Sequence, residues 1–226
     1  MNEKIYRIGT RKSRLALKQV DEILGLLKNF YPGIKTEVTG IDTYGDKDKS
    51  TPISAMEGTD FFTREIDEAL LSGKIDFAVH SAKDLPYTIP DGLYVTAITQ
   101  SMDPYDAIVS RDNVTIENLK INARIGASSA RRKDQLRKYR SDFMIIDVRG
   151  TIEERLKKLD EIKIDAIIVA AIALVRLGLE EKITQRIPFE ILRPHPLQGC
   201  LAVMARKQDK DLIKMFEKIG ENSGNG

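Results

Sequence analysis

Basic and hydroxyl side chains recur directly after the predicted β-strands of this sequence. In chain order, these groups are Thr10, Arg11 and Ser13; Ser81, Lys83 and Asp84; Ser128, Ser129, Arg131 and Arg132; and Arg149 with Gly150. In an open α/β sheet, ligands bind beyond the carboxyl ends of the strands, where helix N-termini also offer free amides. Arginine adds a planar fork that binds a carboxylate or a phosphate through two hydrogen bonds. The pattern therefore predicts a ligand that carries several anionic groups.

Most of these cations also have an ordinary structural interpretation when each is taken alone. Arg131 and Arg132 could lie on a solvated helix face, as could Arg155 further along the chain. Arg149 could form an ion pair with a nearby glutamate, and Arg176 lies near a predicted helix end, where a cation complements the helix dipole. A ligand site is therefore indicated by these cations together and not by any one of them.

Lys83 and Asp84 are harder to explain structurally. A largely apolar strand delivers the pair to the edge of the sheet where ligands bind. His80 lies within that strand, and we expect it to be a hydrogen-bonded core residue rather than a catalyst.

The hydropathy pattern predicts an alternation of strands and helices in both halves of the chain. It predicts strands at 5–10, 37–43, 75–80 and 94–98, and then at 123–126, 143–148, 165–170 and 201–205. It predicts helices after Ser13, at 62–71, from Ser128, from Thr151, up to Leu177 and at 210–219. Such an alternation indicates parallel sheets that are covered by helices.

Three local signals mark helices in this pattern. Threonine at 151 and glutamate at 154 form a capping box, and Gly178 suits the left-handed position after a helix. In the first helix, four apolar residues are spaced to share one buried face: Leu17, Val20, Leu24 and Leu27.

The composition excludes several classes of protein. The 226 residues are 42% hydrophobic and 31% charged, as in a folded globular protein of one or two domains. The net charge of +2 provides no overall field for nucleic acid or an anionic membrane, so any anion site must be local. One cysteine excludes an internal disulfide framework and favours a reducing compartment, and no apolar stretch resembles a signal peptide or a membrane span. We therefore expect a cytoplasmic protein with no membrane partner.

Familiar catalytic and binding motifs are also missing from the sequence. Neither the phosphate-binding G-x-x-x-x-G-K-[ST] motif, the G-x-G-x-x-G motif nor the G-x-S-x-G motif occurs, and the two separated histidines exclude H-E-x-x-H. The sequence therefore predicts no metal site. Basic and aromatic residues do not interleave as they do in nucleic-acid-binding proteins, so we expect no nucleic-acid partner.

Seven ordered motifs resemble those of the porphobilinogen deaminase family, whose members are also called hydroxymethylbilane synthases. They are RIGTRKS at 7–13, TYGD at 43–46, HSAKDLP at 80–86, GASSARR at 126–132, VRG at 148–150 with Arg155, RLGL at 176–179 and QG at 198–199. Because these motifs extend over nearly the whole chain in the family's order, the resemblance is specific.

The resemblance implies an α/β fold of two domains like those of type II periplasmic binding proteins. Each domain would have a mainly parallel sheet flanked by helices, with an interdomain cleft. Domain 1 would comprise 1–99 and 200–219 and domain 2 would comprise 105–193, with crossings at 100–104 and 194–199 and a flexible tail at 220–226. Family members usually continue into a third domain, whose cysteine carries a dipyrromethane cofactor through a thioether. We expect a truncated form that lacks this domain.

The resemblance also implies a transferase of tetrapyrrole (haem) biosynthesis. Such an enzyme condenses four porphobilinogen units head to tail, releases ammonia at each step and gives hydroxymethylbilane. Each pyrrole carries an acetate and a propionate, which explains the arginines because an unpaired carboxylate in a cleft is costly to desolvate. Asp84 is the expected catalytic carboxylate, since a negative group beside the pyrrole N–H stabilises cationic character there and assists proton transfer.

The other site residues follow from the same resemblance. The residues expected to hold dipyrromethane are Lys83, Ser129, Arg131 and Arg132, with neighbours Ser13, Asp46, Ser81 and Ser128. The residues expected to receive the substrate or the growing chain are Arg11, Arg149, Gly150, Arg155 and Arg176, with Phe62 near the rings and Gln198 lining the cleft. We expect both Arg131 and Arg132 to face the ligand and not the core.

The attachment of the cofactor stays open at this point. Cys200 is the only thiol, and its place before an apolar strand favours a small buried residue over a thioether anchor. Dipyrromethane could be held by the cleft alone, by Cys200, or by a separate polypeptide that supplies the missing domain. The loop before Phe62 reads EGTDF at 57–61, where the family tends to have Gly-Gly-Lys-Gly-Leu, so a basic lid would become acidic.

Two functions remain for this sequence. The first is a monomeric porphobilinogen deaminase that acts on porphobilinogen. The second is a non-catalytic module that binds linear pyrroles or other polycarboxylates. Retention of Lys83 and Asp84 favours the enzyme, because carboxylate binding alone gives no reason for a carboxylate among the cations.

Overall fold

The computed structural model describes residues 4–48, 51, 58–160 and 164–221. The chain divides into two compact units. The first unit contains residues 1–48, 58–102 and 199–226, and the second contains residues 49–57 and 103–198. The body of the second unit is therefore one continuous segment, and the chain returns to the first unit after Gln198.

Ten strands and seven α-helices occur in the part of the chain that the structure describes. The strands are β1 (Ile5–Arg11), β2 (Lys35–Ile41), β3 (Phe77–Ser81), β4 (Leu93–Ile98), β5 (Asp106–Ser110), β6 (Arg124–Gly126), β7 (Met144–Ile146), β8 (Ala166–Ala170), β9 (Gln185–Arg186) and β10 (Leu201–Arg206). The helices are α1 (Arg14–Phe30), α2 (Tyr44–Lys47), α3 (Arg64–Leu71), α4 (Ala130–Tyr139), α5 (Ile152–Asp160), α6 (Ala171–Leu177) and α7 (Lys210–Glu221).

The first unit is built on a five-stranded sheet with the order β2-β1-β3-β10-β4. Strand β1 pairs in parallel with β2 and β3, whereas β10 pairs antiparallel with β3 and β4. Four strands therefore share one direction, and β10 runs against them. In this register Leu201 lies opposite Ser81, so the start of β10 meets the end of β3.

The second unit repeats this arrangement with the order β7-β6-β8-β5-β9. Strand β6 pairs in parallel with β7 and β8, and β5 pairs antiparallel with β8 and β9. Asp106, the first residue of β5, lies opposite Ala170, the last residue of β8. The reversed strand therefore starts at the edge where the parallel strands end.

The predicted fold class is confirmed in its main features. Both sheets are mixed, with four strands in one direction, and helices cover them. The pattern did not predict β5, although Ala107, Ile108 and Val109 form an apolar run within it. Three apolar residues are too few to separate a short buried strand from a loop on sequence alone.

Alternating residues of the central strands supply two hydrophobic cores to each unit. In the first unit, Val203 packs with α1 and α7 on one face, whereas Met204 packs with α3 on the other face. In the second unit, Ile168 packs with Leu136 of α4, and Ile167 packs with Leu174 of α6. Because both faces of each sheet are packed, the central strands are held in place along their length. The site residues lie at the ends of these strands.

The first helix begins where the sequence indicates, but its buried face is different. Ser13 caps α1, and its hydroxyl accepts a hydrogen bond from the Ala16 amide at 3.2 Å. The apolar residues that α1 buries are Ala16, Val20, Ile23 and Leu27. Leu17 is 40% exposed and Leu24 is only partly buried, so two of the four predicted residues were wrong, each by one position. Alanine carries a weaker hydropathy signal than leucine, which explains why the pattern favoured Leu17 over Ala16.

Other boundaries differ from the predicted ones by a few residues. The second strand was predicted at 37–43 and lies at Lys35–Ile41, and α3 begins at Arg64, so Phe62 lies in the turn before it. The predicted capping box at α5 is confirmed: the Thr151 amide donates to Glu154 Oε2 at 2.8 Å, and the Glu154 amide donates to Thr151 Oγ1 at 3.2 Å. The predicted tail overlaps α7, which continues through Glu221, and residues 222–226 lie outside the described ranges.

Among the residues that the structure describes, none of the helices combines the length and the apolar character needed to cross a bilayer.

Two glycines in helical contexts provide a matched test of the backbone. Gly178 ends α6 with a φ of 68°, and Gly25 lies inside α1; among the described residues, nothing lies within 4 Å of a Cβ added at either position. We expect Gly178→Ala to lower the free energy of unfolding by about 1 kcal/mol, because alanine resists the left-handed conformation. Gly25→Ala should raise it by about 0.5–1 kcal/mol. Urea denaturation measures both changes in the free energy of unfolding. Changes of the same sign would contradict the left-handed conformation at Gly178.

Candidate active site

In the first unit, two parallel strands deliver site residues to one edge of the sheet. Arg11 ends β1 and Ser13 caps α1, while Ser81 ends β3. A 3-10 turn formed by Ala82–Asp84 follows β3, and the Ala82 amide donates to the Cys200 carbonyl at 3.0 Å. The turn that carries the half-buried Lys83 and Asp84 is therefore tied to the residue before the reversed strand β10.

Arg11 is held by a carboxylate and an aromatic ring. Its Nε lies 3.1 Å from Asp46 Oδ1, its Nη2 contacts the same carboxylate, and its guanidinium stacks 4.5 Å from the ring centre of Phe62. Asp46 Oδ2 also accepts from the Thr43 hydroxyl at 2.8 Å. Burial alone would raise the pKa of Asp46, but Arg11 and Thr43 reverse this effect and lower it. Asp46 therefore acts on Arg11 as a fixed anionic partner.

One pocket brings the site residues of this unit together. Five of the site residues that the resemblance implies line it: Arg11, Ser13, Phe62, Ser81 and Asp84. The pocket has an empty volume of about 410 Å³, part of which is open to solvent. Gln19, on the buried side of α1, also lines it and donates to the Ser81 hydroxyl at 2.8 Å. The pocket combines a cation, a carboxylate, hydroxyl groups and an aromatic ring.

His80 lies in the wall of the same pocket. It is buried, as expected for a core residue, and its Nε2 has no hydrogen-bond partner among the residues that the structure describes. Burial, aided by the charge of Arg11, lowers the pKa of His80 from 6.5 to about 4. The imidazole is therefore neutral near pH 7.

In the second unit, the end of β6 leads into the N-terminus of α4. Ser129 caps this helix and accepts from the Arg132 amide at 3.3 Å. Ser128 is buried, and its hydroxyl donates to the Val148 carbonyl. Ser129 thus lies at the helix terminus, whereas the Ser128 hydroxyl is bonded in the interior of the unit.

A buried carboxylate, Asp106, lies beside this helix terminus. Arg131 Nη2 is 2.6 Å from its Oδ2, and Arg132 Nη2 is 2.5 Å from its Oδ1. Gln198 Nε2 donates to Oδ1 at 2.9 Å and to the Pro104 carbonyl at 2.9 Å. Burial would raise the pKa of Asp106, but the two guanidinium groups outweigh it and hold this pKa at about 2. The carboxylate is therefore charged throughout the neutral range.

The two adjacent arginines differ in their surroundings. The Arg131 side chain is 23% exposed, and its Nη1 also donates to the Arg193 carbonyl. Arg132 is only 6% exposed, and its Nε and both terminal nitrogens donate within the second unit, including Nη1 to the Ile168 carbonyl at 3.4 Å. The expectation that Arg132 faces away from the core is therefore wrong, because β5 brings an interior carboxylate beneath it.

Gln198 and Cys200 flank the return of the chain to the first unit. Gln198 is buried, and its amide binds Asp106 instead of presenting itself to solvent. Cys200 is also buried, as its apolar context indicated. Both side chains are therefore shielded from solvent.

The remaining predicted residues of the second unit lie around the start of α5 and the end of α6. Gly150 has a φ of 108°, which a side chain would strain, and its carbonyl accepts from Arg155 Nε at 2.8 Å. Arg149 donates to the Thr51 carbonyl. Arg176 is half-buried in the last turn of α6. Arg155 therefore supports the turn after β7 that carries Arg149.

Asp106 is the site residue that sequence reasoning missed. Its signal was present, because it stands between Pro104 and an apolar run. Asp106 was not predicted because β5 was not predicted, and an acidic residue indicates a site at a sheet edge only when a strand end is predicted beside it.

The sequence of this chain is similar to those of one known protein family. Residues 6–214 match the family model described as "Porphobilinogen deaminase, dipyromethane cofactor binding domain". The chain belongs to the porphobilinogen deaminase family. A porphobilinogen deaminase from Natranaerobius thermophilus is 44% identical over 96% of this chain and 70% of its own length. One from Syntrophomonas wolfei is 41% identical over 94% of this chain and 70% of its own length.

Solved structures show the same fold with little sequence identity. The methionine-binding protein MetQ has a TM-score of 0.55 at 13% identity, covering 96% of this chain and 90% of its own. The probable amino-acid ABC transporter extracellular-binding protein ytmK from Bacillus subtilis has a TM-score of 0.53 at 13% identity, covering 97% and 91%. The deaminase-family chain therefore has the fold of type II periplasmic binding proteins, as predicted.

The donor set of this deaminase-family chain fits a dipyrromethane cofactor. Its rings would carry carboxylates. The strand ends of the first unit offer Arg11 and Lys83, and the second unit by itself offers Arg131 and the capped N-terminus of α4. The unbonded Nε2 of the buried His80 adds a polar atom without a protein partner among the described residues. The described ranges contain no cluster of histidine, cysteine and acidic residues that could hold a metal ion.

Removing the two adjacent arginines should have unequal effects on stability. Arg132→Leu leaves the buried Asp106 with one cation, so we expect the free energy of unfolding to fall by about 3 kcal/mol. Arg131→Leu should cost less, about 1–2 kcal/mol, because its side chain is partly solvated. Arg137→Leu on the exposed face of α4 is the control and should change stability by less than about 0.5 kcal/mol. Urea denaturation at pH 7 measures all three, and equal losses for Arg131 and Arg132 would contradict the burial argument.

The depressed pKa of His80 predicts a pH dependence of stability. The unfolded chain takes up a proton near pH 6.5 and the folded chain only near pH 4, so stability is present above pH 6.5 and falls as the pH drops towards 4. Asp67, whose burial raises its pKa to about 6, has the opposite effect in this range.

The comparison of the wild type with His80→Gln isolates the histidine. Between pH 7.5 and pH 5, the wild type should lose about 1–2 kcal/mol relative to the variant, measured by urea denaturation at each pH. Parallel pH profiles for the two proteins would show that His80 is not buried in its neutral form.

Proposed function

We propose that this chain is a porphobilinogen deaminase, a transferase that condenses four porphobilinogen units with release of ammonia to give hydroxymethylbilane. The single observation that carries the proposal is Asp84, a carboxylate in a pocket that also contains Arg11, Ser13 and Ser81. A site that only bound carboxylates would gain nothing from a further negative charge, whereas a reaction with a cationic intermediate requires one.

Asp84 is the proposed catalytic residue. Loss of ammonia leaves the substrate ring electron-poor, and a carboxylate beside the ring N–H stabilises the positive character and takes part in proton transfer. The neutral His80 in the same pocket wall adds no second positive charge beside it. The turn that carries Asp84 is tied to Cys200, so its position does not depend on a flexible loop.

Arginine and lysine residues are proposed to bind the carboxylates of the pyrrole rings. Dipyrromethane supplies the pyrrole end on which the chain of rings is extended, and Lys83, Ser129 and Arg131 would hold it, while Arg132 stays paired with Asp106. Arg11 would bind incoming substrate, because Asp46 and Phe62 hold its guanidinium at the edge of the pocket. Arg149, Arg155 and Arg176 are proposed to receive the growing chain. Each pair offsets the cost of removing a carboxylate from water.

We also propose that the two compact units are the functional domains and that the protein acts in the cytoplasm. A single buried cysteine suits a reducing compartment. Because the thiol of Cys200 lies in the core, we propose that side-chain contacts and not a thioether at Cys200 hold the cofactor.

Replacement of Asp84 by asparagine tests the proposed reaction. We expect Asp84→Asn to form hydroxymethylbilane from porphobilinogen at least about a hundredfold more slowly, since the amide keeps the shape and loses the charge. Asp91→Asn, at an exposed position before β4, is the control and should keep full activity. Intact mass confirms each substitution and reports any covalently bound dipyrrole.

The outcomes of this experiment separate the two candidate functions. Near-normal turnover by Asp84→Asn would remove this carboxylate from the mechanism. A wild type that binds porphobilinogen but forms no product would instead favour a non-catalytic pyrrole-binding module.

A further inference from the structure

Asp106 is a fully buried carboxylate that accepts hydrogen bonds from three side chains. Its Oδ2 accepts from Arg131, and its Oδ1 accepts from Arg132 Nε at 3.1 Å, from Arg132 Nη2 at 2.5 Å and from Gln198 at 2.9 Å. It is 0% exposed. Asp106 therefore does not offer itself to a ligand, and any effect on binding must act through the groups it holds.

Stability alone does not explain this cluster. Burial of an ion pair costs desolvation energy that its attraction roughly offsets, so packed apolar residues would serve the core equally well. The cluster instead lies at the end of β8, where the register places Asp106 opposite Ala170. This is the edge at which ligands of such sheets bind.

The geometry restrains Arg131 from two sides. Asp106 holds Nη2, and the Arg193 carbonyl accepts from Nη1. Gln135 in turn holds Arg193: its Oε1 accepts from the Arg193 amide at 2.7 Å, and its Nε2 donates to the Arg193 carbonyl at 3.1 Å. A guanidinium fixed in this way loses little conformational entropy when it binds a carboxylate.

We propose that Asp106 is a positioning residue, which orients the guanidinium group of Arg131 for a ligand that carries carboxylates. The proposal rests on the proposed function for the identity of that ligand. Gln198 assists by binding both Asp106 and the Pro104 carbonyl, which fixes the start of β5.

A positioning role and simple electrostatics predict opposite effects of Asp106→Asn on the affinity for an anion. Two arginines and one aspartate leave a local charge of +1, and removal of the aspartate charge would raise it to +2. By Coulomb attraction alone, Asp106→Asn should bind an anion more tightly. If Asp106 positions Arg131, the same variant should bind it more weakly, because the asparagine amide cannot accept from both forks.

The experiment measures binding of dipyrromethane, the ligand assigned to Arg131, by calorimetry, with Asp106→Asn compared with the wild type. We expect the dissociation constant to rise by about tenfold or more, equivalent to about 1.4 kcal/mol. Asp76→Asn is the matched control, because Asp76 also lies between two arginines, Arg7 and Arg206, but at the opposite edge of its sheet. This control should lower the melting temperature without changing the dissociation constant.

A double-mutant cycle distinguishes positioning from a general loss of structure. In an Arg131→Lys background, which lacks the fork, Asp106→Asn should change the dissociation constant by less than about twofold. Additive effects would mean that Asp106 does not act through Arg131. If Asp106→Asn does not fold, Asp106→Glu keeps the charge but displaces the oxygens, and its affinity should again fall.

Each result then has one meaning. Unchanged or tighter binding by a folded Asp106 variant would overturn the positioning role, even if the wild type is an active deaminase. A wild type that binds porphobilinogen without turnover would overturn the proposed reaction, while the binding comparison would still decide the role of Asp106.

Discussion

One strand in each five-stranded sheet runs against the other four, and this reversal determines which residues reach the ligand edge. Because β10 starts where β3 ends, the Cys200 carbonyl can accept from the Ala82 amide and hold the turn that carries Asp84. Because β5 starts where β8 ends, Asp106 lies beside the N-terminus of α4 and its two arginines. A wholly parallel sheet would place the start of these strands at the far edge.

Both units present arginine in the same physical way, already partnered by a carboxylate. Asp46 holds Arg11 in the first unit, and Asp106 holds Arg131 and Arg132 in the second. Such pairs add little net stability, since desolvation offsets attraction. Their benefit is orientation, because a fixed fork meets a ligand carboxylate at a lower entropic cost than a free side chain.

The pocket of the first unit illustrates how burial assigns charge. His80 and Asp84 are four residues apart, but the strand carries the first into the core and the turn carries the second to the pocket. Burial lowers the pKa of His80, so the imidazole is neutral at neutral pH and the charge in this part of the pocket wall belongs to Arg11 and Asp84. A carboxylate that is to stabilise a cationic ring benefits from the absence of a competing imidazolium.

Much of this protein could be predicted from its sequence, because many of its signals are local. Hydropathy located eight of the ten described strands to within a few residues. It missed the two-residue strand β9 and also β5, whose apolar run has only three residues. The capping box at Thr151, the N-cap at Ser13 and the left-handed Gly178 depend on neighbours within one helical turn. The family follows from motifs that are contiguous in the chain.

Only the tertiary structure determined the partners of those residues. The pairs Arg11 with Asp46 and Arg132 with Asp106 join residues 35 and 26 positions apart, and no local pattern specifies them. The exposure of Leu17 and the burial of Arg132 depend likewise on which face meets the sheet. Strand order and direction arise from packing and hydrogen bonding between distant segments, so the sequence names the groups of the site and the fold decides which of them are free to meet a ligand.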